Sequence, residues 1–146
     1  MNWAMFWWYM FWVMVGYTIA RGDQTELVRK LETGSVSDPD AYVHGMYVAR
    51  GAYGLTHGAW IEVSKMPWTM AHDREHARRA CGLYLDLTYK RLKDRLKREP
   101  SFADVYAGYR FGVTGYVRMG GRISSTPAKF QKKMQDYLVP YQRFTK

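Results

Sequence analysis

With one cysteine among its 146 residues, Cys81, the chain cannot close an intrachain disulfide, and its redox compartment stays open. Cys81 follows Ala80 and shares a helical face with Tyr84 and Leu85, which marks it as a small core residue rather than a reactive thiol. Acidic residues are the scarcer charge, 13 against 22 Lys and Arg, and the balance of +9 points to an anionic partner. A nucleic acid, a lipid surface and a polyanionic wall polymer all fit that charge, but no recognised nucleic-acid-binding motif is present. Internal repeats are absent, and convincing runs of alternating apolar and polar residues are missing except near Tyr42 to Tyr47, which argues against a sheet-based fold. The length suits one domain with one modest core.

Charge is missing altogether from Met1 to Ala20. A helix of that length would extend ~30 Å, about the thickness of a bilayer core. Trp3, Trp7, Trp8 and Trp12, with Phe6, Tyr9 and Phe11, are residues of the membrane interface more than of its centre. Residues 1–20 are therefore expected to form a hydrophobic anchor. Two other readings stay open: a signal cleaved after Thr18-Ile19-Ala20, though no basic residue precedes the apolar run, and a buried or partner-facing helix. Arg21, Arg29 and Lys30 follow the segment, and that asymmetry favours a cytoplasmic carboxyl-terminal domain.

Residues 21–146 read as a helical domain. Asp23 with Glu26 resembles a capping box, and Leu27, Val28 and Leu31 form a stripe that Gly34 ends. Glu32 falls in the last turn, where the negative end of the helix dipole disfavours a carboxylate. Such a residue is either a solvated helix-end glutamate or an acid for catalysis. Ser35 to Arg50, with Asp38-Pro39-Asp40 and Gly45, reads as loop with a short extended piece at Tyr42 to Tyr47. Gly51 and Gly54 permit close backbone approach, and helical spacing resumes from Leu55 to Ser64 until Met66-Pro67 breaks it. Tyr53 and Trp60 are candidates for a sugar-binding wall, with a core role equally open for Trp60.

The longest pattern runs from Asp73 to Arg98, with Ala77, Ala80, Cys81, Tyr84, Leu85, Thr88, Leu92 and Leu96 on one face and a basic far end closed by Pro100. Ser101 with Asp104 opens another helix, in which Phe102, Val105, Tyr106 and Tyr109 face inward and Tyr109 comes last. Gly112, Gly115, Gly120 and Gly121 predict a flexible loop presenting Arg110, Arg118 and Arg122. Thr126-Pro127 starts a final helix with the stripe Phe130, Met134, Tyr137 and Leu138, ending near Pro140.

Three blocks together carry a resemblance. Glu32-Thr33-Gly34 is similar to the Glu-Ser-Gly of the lytic transglycosylases of soluble-lytic-transglycosylase type. Gly51-Ala52-Tyr53-Gly54-Leu55 is similar to their Gly-Ala-x-Gly-Leu-Met-Gln. Gly108-Tyr109-Arg110-Phe111-Gly112 stands where they carry Ala-Tyr-Asn-x-Gly. Order and rough spacing agree from about Thr25 to Tyr116. The resemblance implies a lysozyme-like helical domain that cuts peptidoglycan between N-acetylmuramic acid and N-acetylglucosamine. Glu32 would act first as acid and then as base to give 1,6-anhydro ends. By the same resemblance Thr33, Tyr53, Gly54, Leu55, His57, Tyr109 and Arg110 contact the glycan, and Tyr109 orients the acid or the sugar unless it is an ordinary core tyrosine. His57 replaces the family's Gln and Arg110 its Asn. The implied partners are glycan strands and, through residues 1–20, a membrane. Neither a cofactor nor nucleic acid is expected, and the chain is expected to be membrane-anchored facing the bacterial periplasm or cell envelope, against the orientation that Arg21, Arg29 and Lys30 favour, or to belong to a virus particle. The rival reading is a non-catalytic membrane or virion protein that keeps the fold.

His72-Asp73-Arg74-Glu75-His76 matches the His-x-x-Glu-His of some zinc peptidases, which need both imidazoles on one helical face. Asp73 reads instead as a helix cap that leaves His72 outside, and no third ligand is identifiable, so no metal site is expected.

Overall fold

The computed structural model of the chain describes residues 24–45 and 49–144. The apolar segment 1–20, the Asp23 cap and the end of the extended piece at Tyr47 lie outside the described residues. Among those described, no helix is long and apolar enough to cross a membrane.

The fold is mainly helical. Helix α1 covers residues 24–33 and buries Leu27, Val28 and Leu31, the stripe its spacing predicts. It stops at Gly34, whose amide donates to the Lys30 carbonyl at 3.0 Å. A Cβ at position 34 would meet that oxygen at 2.4 Å, so the turn accepts glycine and little else.

Three two-residue strands follow: β1 (Val43–His44), β2 (Ala49–Arg50) and β3 (Leu55–Thr56), antiparallel in the order β1-β2-β3. Val43 pairs with Arg50 and His44 with Ala49; Ala49 pairs in turn with Thr56 and Arg50 with Leu55. Gly51 to Gly54 is thus the turn of a hairpin, and Leu55 and Thr56 belong to its second strand rather than to a helix. Strands this short carry no alternation that periodicity can detect. Helix α2 (His57–Val63) begins two residues later than its spacing suggests, because the Thr56 hydroxyl accepts from the Ala59 amide and caps it.

After a 3₁₀ turn at Trp68–His72, helix α3 (Arg74–Leu96) forms the spine. Its cap is Asp73, which accepts from the His76 amide at 3.0 Å and leaves His72 in the preceding turn. Ala77, Ala80, Cys81, Leu85, Thr88 and Leu92 are buried along one face, each fully covered leucine worth ~1.5–3 kcal/mol of apolar transfer. Burial pushes the Cys81 thiol up to about 12, in keeping with a packed, unreactive residue.

Helix α4 (Phe102–Phe111) starts at the predicted capping box of Ser101 and Asp104. It continues two residues past Tyr109, so Arg110 lies on the helix rather than in a loop. Helix α5 (Val113–Met119) occupies a stretch whose glycines predict irregular chain. Gly112 and Gly120 sit at its two ends as caps, and the fully buried Tyr116 anchors it by donating to Asp104 Oδ1 at 2.6 Å. Helix α6 (Ala128–Phe144) runs on past Pro140, beyond its expected end, after its stripe residues Phe130 and Met134 enter the core. Phe130 stacks on Tyr106 with ring centroids 5.6 Å apart, which fixes α6 across α4.

Asp104 is the polar pin of this arrangement. It accepts from Arg98 at 2.7 and 2.9 Å, from the Ser101 amide and hydroxyl, and from Tyr116, while Arg98 also donates to the Gly121 carbonyl. Burial alone would raise its carboxyl, but the donors from Arg98, Tyr116 and Ser101 outweigh burial and bring it down to about 2.

Candidate functional site

Glu32 emerges from the last turn of α1 with its side chain only 2% exposed. It lines an open cleft of about 310 Å³ whose other walls are His44 and Gly45, Ala49, Gly54 and Thr56, and Tyr109 with Arg110. The hairpin and α4 therefore both border the carboxylate.

The two carboxylate oxygens have different company. Oε1 accepts from the Tyr106 hydroxyl at 2.6 Å. Oε2 accepts from Arg110 Nη1 at 3.1 Å and faces His44 Nδ1 at 3.8 Å. Burial, followed by the negative charge of Glu32 and the hydrogen bond to it, holds the Tyr106 phenol far above its usual range, so it stays a donor. Arg110 is about half exposed and joins the buried carboxylate to the solvent side of the cleft. Lys133 on α6 lies close enough to feel both charges: burial depresses its ammonium, Glu32 opposes that and Arg110 reinforces it.

Gly54 explains how a hairpin can pack on a buried carboxylate. Its φ is +60°, and a Cβ there would come within 2.6 Å of Glu32 Oε2. Both the backbone conformation and the space require a residue without a side chain.

Four of the predicted site residues, Glu32, Gly54, Tyr109 and Arg110, line the cleft, and the others lie elsewhere. Thr33 is buried, and its hydroxyl donates to the Ala52 carbonyl at 2.7 Å, tying α1 to the hairpin turn. Tyr53 is buried in the core, and its backbone carbonyl, not its ring, meets the site by accepting from Tyr109 at 2.6 Å. Leu55 is core. His57 is exposed and stacks on Trp68, 4.5 Å between centroids, away from the cleft lining. Trp60 is buried, with its indole N–H donating to Met66 O.

Sequence reasoning missed two members. Tyr106, three residues before Tyr109 on the same inward face of α4, is the tyrosine that reaches the carboxylate. Its helical spacing marks it as buried, but nothing in that spacing says which of two inward tyrosines meets Glu32. His44 comes from the strand opposite, and the predicted extended piece was the one signal available for it.

Of the two acids near Glu32 in sequence, Asp38 accepts from the Ala41 amide within its own turn and Asp40 pairs with Arg74 at the start of α3. The basic end of α3 is matched in a similar way: Arg91 pairs with Glu62, Lys93 with Glu99, Lys97 with Asp94 and Arg98 with Asp104. A larger hollow of about 540 Å³ between α3 and the α4–α5 junction is lined by Arg91, Asp94 and Arg95 with Tyr84 and Phe111 to Gly115. It holds both signs of charge and no buried carboxylate.

No protein-family model, curated protein or solved structure matches the chain, so its chemistry has to be read from the cleft itself.

Proposed function

We propose that the chain is a peptidoglycan lytic transglycosylase of lysozyme-like fold, with Glu32 as its single catalytic carboxyl group. The observation that carries this reading is a glutamate with its side chain 2% exposed, lining an open cleft and held through one oxygen by Tyr106. Oε1 is committed to the protein, which leaves Oε2 to face the substrate. Protonated there, Glu32 gives its proton to the glycosidic oxygen between N-acetylmuramic acid and N-acetylglucosamine. The resulting carboxylate then takes the proton of the muramoyl 6-hydroxyl, whose attack on C1 closes the 1,6-anhydro ring. Arg110 moves off Oε2 for the first step, which its half-exposed side chain permits.

A two-carboxylate hydrolase would need a second acid ~5 to 9.5 Å from the first. Among the described residues lining the cleft, Glu32 is the one acid. The membrane or virion setting and the glycan partner belong to this proposal as well.

One observation favours a second reading. The ion pair with Arg110 and the hydrogen bond from Tyr106 satisfy Glu32 as they would a purely structural buried carboxylate, as expected of a non-catalytic protein that retains the fold. Incubating purified peptidoglycan with the full chain separates the two. The enzyme releases soluble muropeptides and Glu32→Gln, folded by circular dichroism, releases none; release by Glu32→Gln at the wild-type rate contradicts the assignment.

A further inference from the structure

We infer that His44 is a positioning residue that shares the working proton of the site with Glu32; this rests on the reading of Glu32 as the acid. The imidazole sits on β1, mostly buried, with its ring edge against Tyr42. Its Nε2 lies 3.0 Å from the Gly51 carbonyl oxygen. A carbonyl only accepts, so Nε2 carries the hydrogen and donates it. That leaves Nδ1 as the ring nitrogen turned to the cleft, and it faces Glu32 Oε2 at 3.8 Å.

Oε2 keeps a second lone pair beside the one that accepts from Arg110, so a proton on either Oε2 or Nδ1 turns the facing atoms into an attractive pair. The charged and phenolic groups around the pair cannot take that role, and the Thr56 hydroxyl oxygen already accepts from the Ala59 amide. Arg110, from α4, only donates, and the Tyr106 hydroxyl is spent on Oε1. Tyr109 spends its own hydroxyl on the Tyr53 carbonyl, and Lys133, from α6, is a further cation. Nδ1 is thus the acceptor that faces Oε2. A separation of 3.8 Å is an ion-pair distance that closes to a hydrogen bond as substrate displaces Arg110, in the way acid–base contacts tighten in a loaded site. The transfer balances: the proton leaves Nδ1 for Oε2 as Glu32 becomes the acid, and returns when the carboxylate has recovered a proton from the muramoyl hydroxyl.

The test has two arms on the full chain. In ¹⁵N spectra of the imidazoles, His44 is assigned by its loss in His44→Gln. The expected result is a protonated Nε2 throughout and an Nδ1 signal that shifts in Glu32→Gln while the other histidines stay put. A bare Nε2, or an Nδ1 indifferent to Glu32→Gln, overturns the shared proton whether or not the protein cleaves anything. In the activity arm, His44→Gln keeps an amide donor for Gly51 but cannot titrate. Its kcat at neutral pH falls roughly 100-fold, the low end for a lost proton-transfer partner, KM holds, and the alkaline limb of the rate profile moves to lower pH. A profile superimposable on wild type overturns the proposal. A wild type that yields no anhydro ends overturns the functional reading instead, and the spectra then decide on the pair alone.

Discussion

Tyr106 on α4 donates its hydroxyl to Glu32 Oε1 at 2.6 Å, joining residues 74 apart in sequence. The phenol is fully buried between Phe102 and Phe130, so the donor arrives on a rigid aromatic stack. This bond sets the orientation of the carboxyl group and therefore which oxygen addresses the cleft.

Tyr106→Phe keeps the stack and removes only the hydroxyl. Hydrogen bonds to charged groups are worth about 1.5–3 kcal/mol, so stability in urea is expected to fall by about that amount. The rate of muropeptide release falls by roughly 10-fold or more with the same products. Tyr109→Phe, which loses a bond to a backbone carbonyl, should cost stability by about 1 kcal/mol and leave the pH profile where it was. Equal rate losses in the two variants would mean that neither tyrosine is special to Glu32.

Gly54→Ala places a methyl group 2.6 Å from Glu32 Oε2 on a backbone with φ +60°. The conformation costs about 1–2 kcal/mol, and the contact pushes the carboxyl group off its position. Thermal unfolding should show a modest loss and activity a near-complete one. An active Gly54→Ala protein would mean that the hairpin does not press on the acid.

Thr33→Val tests a residue that the resemblance assigns to the glycan and the structure places under the hairpin. Leaving the Ala52 carbonyl without its buried donor costs about 1–3 kcal/mol. Activity per folded molecule should match wild type. A raised KM with unchanged stability would return Thr33 to the substrate.

Asp104 makes stability depend on pH. Its folded carboxyl sits at about 2 against an ordinary 3.8, so its contribution is present above about pH 4 and is lost as pH falls through 2. A shift of that size corresponds to about 2 kcal/mol. Urea titrations from pH 7 to pH 2 should show the gap between wild type and Asp104→Asn narrowing across that window. A gap independent of pH would show that the Arg98 and Tyr116 bonds do not depend on the charge.

Where one local pattern controls an element, the sequence discloses it. The α3 stripe, the Asp73 cap, the Ser101–Asp104 box and the placing of Glu32 in the last turn of α1 all follow from helical spacing and capping chemistry. Elements fixed from a distance are not disclosed. Helix α5 carries an internal glycine and gains its anchor from the bond between Tyr116 and Asp104 across two helices. The hairpin has strands too short to alternate, and its turn glycines are explained by what they touch, Gly54 by Glu32 above all. The site divides along the same line. The carboxylate and the glycine next to it are named by the family resemblance, whereas Tyr106 and His44 meet Glu32 only through contacts distant in sequence.

The mass of products released from purified peptidoglycan by the full chain tests the central claim most directly. The account predicts muropeptides ending in 1,6-anhydro-N-acetylmuramic acid, each one water lighter than its hydrolysed counterpart, and their disappearance in Glu32→Gln. Reducing ends from the wild type, or no soluble product at all, would contradict it.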